Sequence, residues 1–198
     1  MLRLTELRLP IDHEDAALRA AVLKRLSLSD KDLVSFTVFK RAADARKPSA
    51  IVWTYTLDLE VANEAGVLKR LKNDRNVSPS PDMAYRHERH LEAPPRKRPV
   101  VIGAGPCGYF AALILAEMGF RPIVLERGKV VRERTKDTFG FWRKRVLNPE
   151  SNAQYGDGGA GTFSDGKLYS QVKDPRFLGR KVLTEFVKAG APPEILFV

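Results

Sequence analysis

Between residues 50 and 61, apolar and polar side chains alternate without a break. Ile51, Trp53, Tyr55, Leu57, Leu59 and Val61 fall on one side, and Val52, Thr54, Thr56, Asp58 and Glu60 on the other. A period of two over that length predicts a half-buried antiparallel strand. Residues 33–39 predict its partner, with Val34, Phe36 and Val38 on one face. The leucine-rich residues 1–9 predict an earlier strand that Pro10 ends. Leu18, Ala21, Val22 and Leu26 share the stripe of a helix capped by Asp12, with Asp15 three residues on. Asn63 caps a shorter helix bearing Val67, Leu68 and Leu71, and a short strand near Asn76 closes the unit. The order β-α-β-β-α-β predicts a ferredoxin-like α+β sandwich. Phe36, Trp53 and Tyr55 sit on apolar faces and are read as core; with Phe39 they would otherwise suggest a platform for bases. Residues 41–47, RAADARK, are read as a solvated hairpin tip.

Residues 78–99 are rich in proline and charge with little apolar period, which predicts a linker or an extended crossover. The domains are therefore 1–78, a linker over 79–99, and 100–198. After the linker the pattern changes. Val100, Val101 and Ile102 form a wholly apolar strand suited to a parallel sheet covered on both faces. A helix over 109–118 follows, with Ala112 and Leu115 packing, then Gly119 as its stop and a second strand over 122–126. Further on, 130–147 is basic and aromatic, either a helix over a cofactor entrance or a solvated face; the solvated face is favoured. Asp174 and Pro175 open a last helix with Leu178, Val182 and Phe186 as its stripe.

The turn between the two strands of the second unit carries the chemistry: Gly103-Ala-Gly105-Pro106-Cys107-Gly108. Gly103 permits the tight exit from the strand, Gly105 lets backbone approach a pyrophosphate, and Gly108 lets helix meet strand. The helix N-terminus offers N–H groups and the positive end of its dipole to phosphates. Glu126 ends the second strand about 20 residues on, where a carboxylate accepts from an adenosine ribose and repels a 2′-phosphate. This predicts a dinucleotide site. Cys107 is read as a small residue beside the pyrophosphate. As the sole cysteine it excludes a dithiol mechanism, an intrachain disulfide and a cysteine-built zinc cluster.

Residues 101–127, VIGAGPCGYFAALILAEMGFRPIVLER, resemble the FAD fingerprint of the glutathione-reductase-type flavoproteins. Together with Ala43-Asp-Ala-Arg46 and the run from Gln154 to Lys167, QYGDGGAGTFSDGK, the chain is similar to a group of bacterial FAD-dependent dehydrogenases. The resemblance implies a Rossmann-type FAD-binding domain, an α/β unit of which this chain holds the first part. It adds Arg127 beside Glu126 as the FAD variant of the ribose-binding pair. It also makes Gly158, Gly159, Gly161 and Thr162 second contacts to FAD, in a loop whose free N–H groups and hydroxyls suit phosphates or a flavin edge. It names no catalytic acid or base. His13, His87 and His90 are read as exposed.

Charge and composition change little. The net +10 admits a polyanion partner, but it is divided evenly on either side of Arg98, and a solvated basic surface around an anionic cofactor is favoured. No apolar run spans a bilayer and no signal-peptide core opens the chain, which is read as soluble and cytoplasmic, without metal, membrane or nucleic-acid partner. The apolar residues 195–198 are expected to seek a sheet encoded in a further C-terminal region of the same protein. The chain is thus expected to bind FAD weakly or not at all by itself, to show no turnover and to self-associate. Two rivals stay open: an NAD-dependent dehydrogenase, and a non-enzymatic basic module for RNA or a protein partner.

Overall fold

A computed structural model of the chain describes residues 1–163 and 172–197. They fall into two units, Met1–Ala84 with Asp174–Val198, and Tyr85–Lys173. The protein is mixed α/β.

The first unit runs β1 (Leu2–Pro10), α1 (Asp15–Leu26), β2 (Leu33–Asp44), β3 (Val52–Val61), α2 (Glu64–Arg70) and β4 (Val77–Pro79). The four strands form one antiparallel sheet in the order β2-β3-β1-β4. Leu2, Leu4 and Leu7 from β1, Tyr55, Leu57 and Leu59 from β3, and Leu18, Val22 and Leu26 from α1 meet in a single apolar core. Fully burying each large aliphatic there contributes about 1.5–3 kcal/mol. Asn63 caps α2 as its sequence position predicts, its Oδ1 accepting from the Gly66 N–H at 2.9 Å. By contrast, α1 begins at Asp15 behind Glu14 and has no side-chain cap, so Asp12 lies ahead of the helix.

Three register shifts correct the simple alternation, one in β1 and two in β2, the second of these between Val38 and Lys40. A register shift between Leu33 and Ser35 buries Leu33 and turns Val34 outward at 59% exposure, so Val34 does not share a face with Phe36 and Val38. In β1 a shift between Leu4 and Leu7, with Glu6 at φ 57°, keeps Leu7 in the core despite the extra residue. The strand β2 also continues to Asp44, so residues 41–44 are ladder and not hairpin tip. Arg41 lies over the Trp53 ring at 4.7 Å.

The second face of the sheet, read as polar and solvated, is partly covered. Asp58 is only 4% exposed. Arg3 Nε and Nη2 donate to its two oxygens at 2.8 Å each, and Ser80 Oγ donates at 2.7 Å. Beside this pair, the ring of Phe39 lies under the guanidinium carbons of Arg3 and Arg180 at 3.8 and 5.4 Å and meets Phe177 edge-on. Arg180 belongs to α5 (Leu178–Lys188), with α4 assigned to the second unit below. This last helix starts later than Asp174-Pro175, although Asp174 still accepts from the N–H groups of Leu178 and Gly179. The expectation that 195–198 lack a sheet fails for the described part. Ile195, Leu196 and Phe197 are half-buried in a turn of 3-10 helix against β2, because the apolar tail finds its sheet in the first unit. Val198 lies outside the described residues.

Burial alone would raise the Asp58 carboxyl, but the hydrogen bonds from Arg3 and Ser80 and the charges of Arg3 and Arg180 outweigh it and hold the group below the usual carboxylate range. The ionised form is therefore favoured by folding. Its contribution is complete above the unfolded value of about 3.9 and is lost as pH falls through the depressed folded value. Thermal melts from pH 7 to pH 2 should show an acid limb for the first unit that flattens in Asp58→Asn, with stability at pH 7 also reduced. An unchanged limb in that variant would assign the acid sensitivity elsewhere.

The second unit contains β5 (Val100–Ile102), α3 (Pro106–Glu117), β6 (Ile123–Leu125) and α4 (Val131–Lys144). β5 and β6 pair in parallel, Val100 with Ile123 and Ile102 with Leu125. The helix α3 packs on the Val101 side. The opposite side, expected to be covered, is open among the described residues, with Val100 52% and Ile102 86% exposed. Residues 80–99 hold no regular structure, yet His87 and Leu91 anchor them to the C-terminal end of α3. The Leu91 N–H donates to Met118 O at 3.0 Å, and His87 Nε2 lies 3.3 Å from Glu117.

Candidate functional site

Where β5 ends, Gly103 adopts φ 96°, a conformation that favours glycine, and its N–H donates to Leu125 O on β6 at 2.7 Å. The turn is thus tied to the neighbouring strand at its first residue. Ala104 is buried. Gly105 is the N-cap of α3 and Pro106 its first residue, which suits a ring that has no N–H to lose. The N–H groups of Cys107 and Gly108 in the first turn have no intrahelical acceptor. A Cβ on Gly108 would stand 1.9 Å from Gly103 O and 3.5 Å from Val101 Cγ1, so this glycine sets how closely helix and strand approach. A Cβ on Gly105 or Gly103 would meet nothing within 4 Å, so the space above those two residues is open. Cys107 is exposed.

Glu126, one residue past β6, folds its carboxylate back across the turn. Oε2 accepts from the Ala104 N–H and Oε1 from the Gly128 N–H, each at 2.7 Å. Those two bonds hold the carboxyl below its ordinary range. Arg127 points outward and pairs with Glu150 at 2.5 Å. Between these groups lies a cleft of about 380 Å³, lined among others by Gly103, Gly105, Glu126, Arg127, Tyr155 and Gly159.

The glycine loop lies beside that turn. The Gly158 N–H donates to Ala104 O at 2.8 Å, and a Cβ on Gly159 would stand 2.9 Å from Pro106 Cδ and 3.3 Å from Gly105 Cα. Tyr109 on α3 donates to Asp157, a bond that pushes the phenol up to about 12. Gly161 and Thr162 lie in the next turn, and Ser164, Asp165, Gly166 and Lys167 lie outside the described residues.

One residue essential to this arrangement carried no signal in the sequence. Arg134, in the first half of α4, is fully buried. Its Nε donates to Asn152 O at 2.7 Å, Nη2 to Ala153 O at 2.9 Å, and Nη1 to Asp157 O at 2.6 Å and to Thr162 Oγ1 at 3.3 Å. Desolvation lowers its affinity for the proton, yet a guanidinium stays charged. Five donors in a planar fork can satisfy several carbonyls at once, which no other side chain does. The helix predicted over 130–147 is therefore neither purely solvated nor a simple cover, since Arg134 and Thr138 are buried while Phe139, Phe141 and Trp142 are exposed.

The structure brings Gly103, Gly105, Pro106, Gly108, Glu126, Gly158 and Gly159 into one neighbourhood. Arg127 stands at its rim, and Gly161 and Thr162 are reached through Arg134. Of the three histidines His90 is exposed, whereas His13 Nε2 meets the Tyr55 hydroxyl at 2.8 Å and the side chain of His87 is 15% exposed beside Glu117. Among the described residues no group of His, Cys, Asp and Glu has the geometry of a metal site, and no helix is long and apolar enough to cross a membrane.

A family described as a domain of unknown function, DUF8436, matches residues 1–60, which end within β3 of the first unit. A protein of Clostridium beijerinckii, described as an uncharacterized protein, is 39% identical to this chain over 202 residues. The match takes in 99% of this chain and 36% of the relative, so the chain spans little more than a third of the curated relative it matches.

Proposed function

We propose that the chain is a ferredoxin-like domain joined to the first part of a Rossmann-type FAD-binding domain, and that the whole protein is an FAD-dependent oxidoreductase. The observation that carries this reading is the turn 103–108 between two parallel strands, with open space over Gly105 and the Glu126 carboxylate at the end of β6. Gly103, Gly105, Pro106, Cys107 and Gly108 would hold the pyrophosphate. Glu126 would accept from the adenosine ribose with the lone pairs its two backbone bonds leave free, and Arg127 would flank it. The second loop favours FAD over NAD, since Gly158 and Gly159 lie against the same turn and bring Gly161 and Thr162 with them. The bound flavin would supply the redox chemistry, while the protein binds, orients and shields it. The open side of β5 and the length of the relative support a sheet completed by further polypeptide.

Gly105 tests the site cleanly. Its backbone, at φ −80° and ψ −179°, is one any residue adopts, and a Cβ there would meet nothing within 4 Å. Gly105→Val should therefore leave the melting temperature unchanged and remove binding only. In the 198-residue chain, FAD and ADP should each give weak, saturable amide shifts at Gly103, Gly105 and Gly108 that vanish in the variant. Shifts that persist in Gly105→Val, or none at saturating ADP in either protein, would refute the assignment.

A further inference from the structure

We propose that the loop end of the β2–β3 hairpin in the first unit is a binding site for a small oxyanion, the carboxylate or phosphate group of a ligand. This site is independent of the glycine turn and of the flavin reading. It is a cavity of about 250 Å³ lined by Arg8, Asp44, Arg46, Lys47, Ala50 and Val52. All six lie within residues 1–60.

The register explains how they meet. Arg8 on β1 faces Thr54, and Asp44 at the end of β2 faces Val52, so β3 carries both neighbours of the cavity on one sheet. The bulge before Leu7 sets the phase of β1 that places Arg8 there. Asp44 does not cancel the site; it organises it. Its oxygens accept from Arg46 Nε at 2.8 Å, Arg46 Nη2 at 2.5 Å and the Arg46 backbone N–H at 3.2 Å. Those bonds hold the Asp44 carboxyl far below its ordinary range, so it stays ionised. They also fix the plane of the Arg46 guanidinium, leaving its Nη1 edge unspent for an incoming acceptor.

Arg8 lies 3.9 Å from Asp44 and 3.2 Å from Glu6, and Lys47 has no ion-pair partner among the described residues. Three cations therefore face two carboxylates, with one ammonium and one guanidinium edge free, above Ala50 and Val52 as an apolar floor. That combination suits a compact anionic group attached to a small apolar body. A single surface charge needs no explanation, but a cavity that orients one arginine through an aspartate and leaves a lysine unpaired is built for an acceptor.

The test uses the 198-residue chain, titrated at constant ionic strength with inorganic phosphate in one series and succinate in another, followed by amide shifts. Either anion should move Arg8, Asp44, Arg46, Lys47 and Ala50 saturably, and the stronger of the two identifies the class. Lys47→Ala should weaken that anion roughly tenfold, the size of one charge-assisted contact, and Arg8→Gln combined with it should remove binding. Both positions are exposed, so the melting temperature should not move and loss of binding cannot be mistaken for unfolding. No saturable shift with either anion, or the same affinity in Lys47→Ala, would overturn the proposal.

Discussion

In Arg134→Met the loop of residues 152–162 is expected to leave its seat against the turn after β5. Methionine fills a similar volume but donates nothing, so the carbonyls of Asn152, Ala153 and Asp157 lose a donor together, and Thr162 loses its contact. Each buried acceptor left unpaired costs about 1–3 kcal/mol. Relief of the buried charge offsets part of that sum, and a net loss of about 3 kcal/mol is expected in the second unit. Amide hydrogen exchange is the direct readout: residues 152–162 should exchange much faster, with β1 and β3 unaffected. Arg134→Lys should recover little, because one ammonium cannot reach acceptors spread around a planar fork. Unchanged protection of the loop in Arg134→Met would show that something other than this arginine holds it.

The second large effect is expected at Gly108, where two principles oppose each other. Replacing a helical glycine by alanine ordinarily stabilises by about 0.4–1 kcal/mol. Here the new Cβ would stand 1.9 Å from the carbonyl oxygen of Gly103, a backbone atom that cannot swing aside. Relief requires α3 to move off β5, and overpacking of this kind costs about 1–3 kcal/mol or more. Gly108→Ala should therefore destabilise the second unit and separate Glu126 from the Ala104 N–H. Gly140 in α4 is the control: a Cβ there meets nothing within 4 Å, so Gly140→Ala should stabilise slightly. Thermal and denaturant melts of the two variants should move in opposite directions, and a stabilising Gly108→Ala would mean the helix sits farther from the strand.

Much of the first unit was legible from pattern. The alternation over 50–61 found β3, Asn63 found the start of α2, and the six-element order was right. The failures were local and physical. Val34 was assigned inward because alternation carries no mark of a bulge. Residues 41–44 looked like a turn because charge and alanine suggest solvent, whereas edge-strand residues tolerate both. The glycine turn was found because its requirements are steric and close in sequence: Gly103 needs a positive φ, and Gly108 needs the space that Gly103 O leaves.

Asp58, Arg134 and the residues 195–197 could not be placed from the sequence. Alternation states which side of a strand a residue occupies; it does not state whether a distant segment lies across that side. Asp58 reads as exposed until Arg3, 55 positions away, and Ser80 close around it. Arg134 reads as one more surface cation on a basic helix. Its burial depends on carbonyls 18 to 23 positions on that turn toward it only in the folded loop. The sequence alone therefore determined the elements and the glycine turn, which rest on local geometry and short-range period. Tertiary structure decided which charges are buried, because the cost of burying a charge is set by partners that only the fold brings together.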